Sequence, residues 1–310
     1  MNKITIGIVG FGTVGTGVIK ILRNNKTLVN NRLGTPIELK KIVDLDIKSD
    51  RGVRLRKGLL SKDVNDILND PSIDLIVELI GGVQAARSIL LDAIKQGKHI
   101  VTANKALLAS HGLELLNSAH KGGVDIGFEG SVAGGIPIIG ALKEGLTGNR
   151  ISCILGILNG TANYILTKMT DEGGKFSDIL QEAKKQGYAE SDPTLDVEGL
   201  DTTHKLSILR SIAYGTVNSF EDIYTEGISH IEPIDIEFAR ELGYRIKLLA
   251  IAREVDSQIE ARVHPTLIPH DHLLSKVDGT YNAIFIDGNA AGPSMFYGKG
   301  AGMMPAASAV

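Results

Sequence analysis

Residues 3–9 (KITIGIV) form a short, apolar, β-rich run that stops at Gly10. Gly12 and Gly15 follow, and apolar positions then recur at helical spacing through Val18, Ile21 and Leu22. The pattern predicts a strand, a tight turn and an amphipathic helix. A second β-like run covers residues 38–43, and the polar stretch before it, 24–36, reads as a loop. Asn69-Asp70-Pro71-Ser72 is a turn signal. Residues 73–80 (IDLIVELI) are then almost continuously apolar up to Gly81-Gly82, as a strand buried on both faces reads. Residues 84–96 pattern as a helix, 99–101 as a strand, 107–119 as a helix and 124–128 as a strand. Strands alternating with helices predict a parallel sheet.

From Glu129 the texture changes. EGSVAGGIPII is a glycine-rich crossing into a helix around 138–146, and residues 151–158 read as a strand ending in Asn159-Gly160-Thr161. Helices start near Ala162 and Ser177, and another covers 234–242. Two strands, 245–254 and 258–266, meet at Val255-Asp256-Ser257 as in a hairpin. The expected fold class is α/β: a Rossmann-type parallel sheet domain over residues 1–130, then an α+β domain with a mixed sheet over 131–295. Residues 296–310 are expected to return to the first domain.

Between the last two helical regions lies the most chemically loaded stretch, residues 187–205 (GYAESDPTLDVEGLDTTHK). It carries Glu190, Asp192, Asp196, Glu198 and Asp201, and ends on Lys205. Pro193 and Gly199 keep its first part irregular. After Gly199, Leu200, Leu206, Leu209 and Ile212 recur at helical spacing, so Asp201 and Lys205, four apart, share one helix face. Spacing alone leaves this pair open to a second reading, a solvated surface ion pair.

Two further features carry chemistry. Gly10, Phe11, Gly12, Thr13, Val14 and Gly15 match GxGxxG between a strand and a helix. There the glycines permit a tight turn, close approach to a dinucleotide pyrophosphate and close helix–strand packing. Asp44, directly after the second strand, is placed to bond the adenosine ribose hydroxyls and repel a 2′-phosphate. Lys48 and Arg51 argue the other way, so NAD is favoured over NADP without NADP being excluded. Thr102-Ala103-Asn104-Lys105 closes a later strand, and ligands in open α/β sheets bind beyond such carboxyl ends.

Composition narrows the class. At 310 residues the chain has room for two domains, and its net charge of −3 gives no electrostatic reason to expect nucleic acid or anionic membrane as a partner. No apolar run reaches the roughly 18 residues of a membrane span, and the N-terminus does not end in a signal-peptide cleavage site. Cys153 is the only cysteine, which excludes an internal disulfide and fits a reducing, cytoplasmic setting. It lies in the apolar run ISCILGIL, where an inert thiol is expected, so a cysteine-dependent aldehyde dehydrogenase such as aspartate-semialdehyde dehydrogenase is disfavoured. His264, His270, Asp271 and His272 have neither an HExxH motif nor a cysteine partner and give no zinc site. His204 reads as a bystander beside Lys205.

Taken in order, GFGTVG (10–15), VELIGG (77–82), VTANKALLA (101–109), SVAGGIPII (131–139), LNGTANYI (158–165), the GYAESDP stretch, Asp201 with Lys205, and GKGAG (298–302) resemble homoserine dehydrogenase along essentially the whole chain. The resemblance implies NAD(P)-dependent interconversion of L-homoserine and L-aspartate 4-semialdehyde, in threonine, methionine and isoleucine biosynthesis. It implies that Lys205 is the catalytic lysine with Asp201 its partner, and that Lys105 is the second active-site lysine, near the cofactor. Glu190 then binds the substrate ammonium, with Asp196, Tyr188, Gly160 and Thr161 nearby. Thr102, Gly187 and Gly302 lie close to the cofactor, and Glu129, Val132, Gly134 and Ile136 hold a sodium ion, three of them through backbone carbonyls. A homodimer built from the second domain's sheet is also implied. The chain stops at residues 306–310 inside a family motif, so truncation before a further helix and an ACT-type regulatory domain is expected.

The chemistry suits these residues. Reducing an aldehyde places negative charge on oxygen, which requires a proton donor there. A carboxylate beside a lysine favours the charged, donating form, and oxidation needs the neutral form, so oxidation should rise with pH. The alternatives are another dehydrogenase of a small amino-acid-derived alcohol, or a nucleotide-sensing module that has lost its chemistry. The latter predicts a damaged 187–205 stretch or a missing Lys105, and both are intact.

Overall fold

A computed structural model describes residues 3–216 and 219–310. The chain divides into two compact units, residues 1–135 with 302–310, and residues 136–301.

In the first unit, strands β1 (Ile4–Val9), β2 (Ile37–Val43), β3 (Leu60–Ser61), β4 (Leu75–Glu78), β5 (His99–Thr102) and β6 (Ile126–Gly127) form a sheet in the order β3-β2-β1-β4-β5-β6. All its pairings are parallel. Between them run α1 (Thr13–Asn24), α2 (Lys26–Leu33), α3 (Asn65–Leu68), α4 (Gln84–Lys95) and α5 (Lys105–Gly122). The strand order reverses beside β1, which places the turn after β1 at the crevice where such sheets bind ligands. Ile8, Phe11, Val18, Ile19, Ile42 and Val77 form one buried core there.

The polar stretch 24–36 is not a loop throughout: Lys26–Leu33 is the helix α2. None of its residues is buried, so it has no apolar face to produce a periodic signal. Gly34 ends it in the left-handed conformation, a common helix stop.

The second unit begins with α6 (Ile138–Gly140), which runs into a π-helical turn at Ala141–Gly145. Then come β7 (Ile151–Ile157), α7 (Gly160–Glu172), α8 (Phe176–Lys185), α9 (Thr194–Val197), α10 (Leu200–Tyr214), β8 (Tyr224–Thr225), α11 (Pro233–Glu241), β9 (Tyr244–Val255), β10 (Gln258–Pro269), β11 (Tyr281–Gly288) and β12 (Gly292–Lys299). The sheet order is β12-β11-β7-β9-β10-β8, antiparallel except where β8 joins β10. The β9–β10 joint turns through Asp256 and Ser257, both at positive φ, as tight hairpins require. Helices α7, α10 and α11 cover one face. On the other, Leu155, Phe285 and Met295 remain half-buried around Ile157, Leu249 and Ile251.

The hairpin β11–β12 has no counterpart in the sequence reading, and residues 296–299 complete β12 rather than leaving the sheet. The return to the first unit starts at Gly302, where α12 (Met303–Ala309) packs on α1. Among the described residues, no helix is long and apolar enough to cross a membrane.

Candidate active site

In the first unit the glycine turn has the shape a pyrophosphate needs. Gly10 sits at φ +109°, and a Cβ there would lie 2.6 Å from the Leu79 carbonyl carbon. A Cβ on Gly15 would collide with the Gly10 carbonyl oxygen. Gly12 is different, with nothing within 4 Å of its missing Cβ. It is also the N-cap of α1 and offers no side-chain hydrogen bond, so the first-turn N–H groups of α1 are not capped by it. An open, uncapped helix N-terminus behind a close-packed turn fits a dinucleotide phosphate. Thr13 is exposed, Val14 packs toward the core and Phe11 is buried.

The Phe11 backbone N–H donates to Asp44 Oδ2 at 2.6 Å. The Asp46 N–H donates to Asp44 Oδ1 at 2.8 Å. Arg51 is held by Asp46 at 2.8 Å, while Lys48 is exposed. Bonding to the Ser49 hydroxyl and N–H groups holds the Asp46 carboxyl down at about 2.

At the carboxyl ends of β4 and β5 the sequence reading missed Glu78. It is fully buried and accepts the Thr102 hydroxyl at 2.6 Å and the Ile80 N–H at 2.9 Å. Burial pushes its carboxyl up. Thr102 also accepts the Asn104 N–H at 3.0 Å, and Asn104 caps α5 through Leu107 while its amide reaches the Gly82 carbonyl at 2.6 Å. Lys105, half-buried, is the first residue of that helix. The ends of β4 and β5 are thus tied together immediately before it in the chain.

In the second unit Asp201 and Lys205 lie on α10, and both side chains are buried, about 7% and 11% exposed. That removes the surface-pair reading. Lys205 Nζ donates to Asp201 Oδ2 at 2.6 Å and to the Leu158 carbonyl at 2.7 Å. The Leu158 carbonyl also accepts the Asn282 amide at 3.0 Å. Asn159 Nδ2 donates to Asp196 Oδ1 at 2.6 Å and Asp201 Oδ2 at 3.0 Å.

The remaining residues of the acidic stretch separate. Asp192 caps Thr194 at the start of α9. Glu190 is exposed and Glu198 half-buried. Tyr188 packs on Tyr164 with ring centroids 4.8 Å apart, and its carbonyl accepts the Thr161 hydroxyl at 2.7 Å. Gly160 faces the Thr280 carbonyl, 2.8 Å from where a Cβ would stand. Gly187 and Gly302 both take positive φ. Glu129 opens a short 3-10 turn, Val132 is buried, and Ala133 and Gly134 are both left-handed just before Ile136.

Several candidates outside the site have structural partners. Cys153 is half-buried, and burial pushes its thiol up. His272 accepts the Leu274 N–H, His264 meets the Pro265 carbonyl, and His204 packs edge-on against Phe220. Among the described residues, no three His, Cys, Asp or Glu side chains converge as a metal site.

A parallel sheet with an open glycine turn at its switch point, in a chain whose second unit carries a buried lysine–carboxylate pair, is the architecture of a dinucleotide-dependent oxidoreductase. Comparisons with known proteins agree. The family model "Homoserine dehydrogenase, NAD binding domain" matches residues 10–129, and "Homoserine dehydrogenase" matches 137–310. The homoserine dehydrogenase of Bacillus subtilis is 46% identical over 310 residues, covering 100% of this chain and 72% of that protein. That of Pseudomonas aeruginosa is 48% identical, covering 100% of this chain and 71% of that protein. The crystal structure of a homoserine dehydrogenase from Thiobacillus denitrificans superposes with a TM-score of 0.96 at 50% identity, covering 100% of this chain and 72% of that one. A hyperthermophilic archaeal homoserine dehydrogenase in complex with NADPH gives 0.83 at 27% identity, covering 99% and 95%. The chain belongs to the homoserine dehydrogenase family. Its reaction is the NAD(P)-dependent interconversion of L-homoserine and L-aspartate 4-semialdehyde.

Proposed function

We propose that Lys205 is the acid–base group of this reaction. The observation that carries the reading is the buried contact of its ammonium with Asp201 and the Leu158 carbonyl. The nicotinamide, when bound, supplies or accepts the hydride. In reduction Lys205 donates a proton to the oxygen of the former aldehyde, and in oxidation it takes that proton back. Asp201 offsets the charge of the ammonium and fixes its position, and the Leu158 carbonyl removes a second degree of freedom.

The substrate is a zwitterion with an ammonium at one end. Glu190 and Asp196 supply negative charge for it, with Tyr188, Gly160 and Thr161 shaping the same end of the second unit. In the first unit Gly10–Gly15 (residues 10–15) cradle the pyrophosphate, Asp44 receives the ribose hydroxyls, and Thr102 and Lys105 attend the nicotinamide end, with Gly187 and Gly302 further cofactor contacts. NAD is preferred, because Asp44 repels a 2′-phosphate and Arg51 is already engaged by Asp46. The relative solved with NADPH shows that the family admits the phosphorylated cofactor. Glu129, with the carbonyls of Val132, Gly134 and Ile136, holds a sodium ion: the donor set is all oxygen, as a hard cation prefers, and the left-handed pair Ala133–Gly134 turns the backbone there. Leu155, Phe285 and Met295 on the open sheet face support a homodimer through the second unit, and the lone Cys153 suits the cytoplasm.

The test is nicotinamide reduction with L-homoserine at alkaline pH, with NAD and NADP in parallel and Lys205→Ala as control. Turnover that falls by roughly 100-fold or more in the variant supports the assignment. Undiminished turnover in Lys205→Ala removes it. Light scattering in solution checks the dimer.

A further inference from the structure

Asn159 stands between the two carboxylates that the function needs most. It is 5% exposed, at the end of β7 and the start of α7. Its Nδ2 donates to Asp196 Oδ1 at 2.6 Å and to Asp201 Oδ2 at 3.0 Å. Its Oδ1 accepts the Ala162 N–H at 2.8 Å as the N-cap of α7. These partners fix which way the amide points. Reversing it would set an oxygen against two carboxylates and an NH2 group against a backbone donor.

The two halves of this side chain therefore do different things. The oxygen half is a helix cap, a role that Asp or Ser fills as well. The nitrogen half has a role that neither can fill. Asp196 and Asp201 are like charges held toward one point, and the amide supplies both N–H groups there. Asp201 Oδ2 accepts Lys205 Nζ and Asn159 Nδ2 at once, so the amide also fixes the oxygen against which the ammonium rests.

We infer that Asn159 is a positioning residue for the dehydrogenase reaction, joining the substrate-ammonium carboxylate Asp196 to the acid–base pair Asp201–Lys205 through its one amide nitrogen. The inference rests on the reading of Lys205 as the acid–base group.

Asn159→Asp separates the two halves, because it keeps the cap, removes the donor and adds a third negative charge. Its melting temperature is expected to fall by several degrees, since the cap is retained but a buried carboxylate replaces two hydrogen bonds, so the kinetics are read well below that temperature. Homoserine oxidation is expected to fall about ten-fold or more in kcat. The rising limb of its pH profile is expected to move upward by about one unit, because added negative charge holds the lysine in its charged form. A residue that only caps α7 would leave both kcat and the profile where they are, and that result overturns the inference. Asn159→Ser, run in parallel, keeps a cap without adding charge. If the Asp variant does not fold, a ten-fold loss of kcat in the Ser variant at an unchanged melting temperature supports the inference, and parent-like kcat overturns it. Lys205→Ala distinguishes the two readings. If it turns over homoserine like the parent, the acid–base assignment and this inference both fall. If it is inactive while the Asn159 variants match the parent, only the role of Asn159 falls.

Discussion

The Asp44 carboxylate accepts the backbone N–H of Phe11 at 2.6 Å, so the residue proposed to set cofactor choice also holds the glycine turn. Its removal therefore has two separable effects. In Asp44→Ala both cofactors bind more weakly, because the turn loses its anchor. The loss is larger for NAD, which also loses a ribose acceptor, while NADP is freed from charge repulsion. The ratio of kcat/KM for NADP over NAD is expected to rise about ten-fold, a difference of ~1.4 kcal/mol. Steady-state kinetics with both cofactors measure it, and an unchanged ratio removes Asp44 from cofactor selection.

Gly10 and Gly12, two residues apart, should respond in opposite ways to the same added methyl. Gly10→Ala places a Cβ on the Leu79 backbone at φ +109° and is expected to destabilise the chain by about 2 kcal/mol or more. Gly12→Ala meets open space and is expected to change stability by less than ~1 kcal/mol. Its methyl instead fills the approach to the N-terminus of α1, so the dissociation constant for the dinucleotide should rise about ten-fold. Urea unfolding and a cofactor titration on both variants separate the outcomes. A Gly12→Ala protein that binds cofactor like the parent would place the pyrophosphate elsewhere.

The contrast with sequence reading follows from locality. The turn after β1, the buried strand β4 and the Asp201–Lys205 spacing are written in consecutive residues, and all were legible. Helix α2 was not, because a helix with no buried residue has no apolar period. Strand β12 was not, because Gly292, Pro293, Ser294 and Gly298 break up its alternation. The burial of Lys205 could not be read from spacing, since it depends on Leu158, 47 residues away. Asn159 read only as the end of a strand, because its two carboxylate partners lie 37 and 42 residues downstream. Glu78 was visible only as one polar residue in an apolar run, and that anomaly, a carboxylate at the end of a buried strand, is the signal that can find such residues.

Gly300 offers a second route to Lys205. A Cβ there would overlap the Asn282 amide, whose nitrogen donates to the same Leu158 carbonyl that accepts Lys205 Nζ. Asn282 is 1% exposed and has little room to withdraw. Gly300→Ala is expected to push the amide off Leu158, cost about 1–3 kcal/mol for a buried group left unpaired, and lower kcat about ten-fold. Thermal unfolding and homoserine oxidation check this. A stable variant with full kcat would mean that Asn282 does not position the carbonyl.

Lys247 gives a prediction about pH. Its side chain is 1% exposed on β9, bonded to Asn163 Oδ1 at 3.1 Å, the Val277 carbonyl at 2.5 Å and Asp278 Oδ1 at 3.1 Å. Burial pulls its ammonium down to about 8, and the opposing attraction of Asp278 does not restore it. In the unfolded chain a lysine titrates near 10.4. Below about pH 8 both states are charged, and the folded state bears the full cost of a buried ammonium. Between about 8 and 10.4 the folded state has lost its proton while the unfolded state keeps it. The unfolded state then binds more protons, so this group makes stability rise with pH across that window. Lys247→Met keeps the stem, leaves the acceptors of the loop at Val277–Asp278 (residues 277–278) unpaired, and is expected to cost about 2–4 kcal/mol at neutral pH. The difference in unfolding free energy between parent and variant should then widen from pH 8 to 10. Urea unfolding at half-unit steps measures it, and a constant difference across the window would show that Lys247 does not change its charge there.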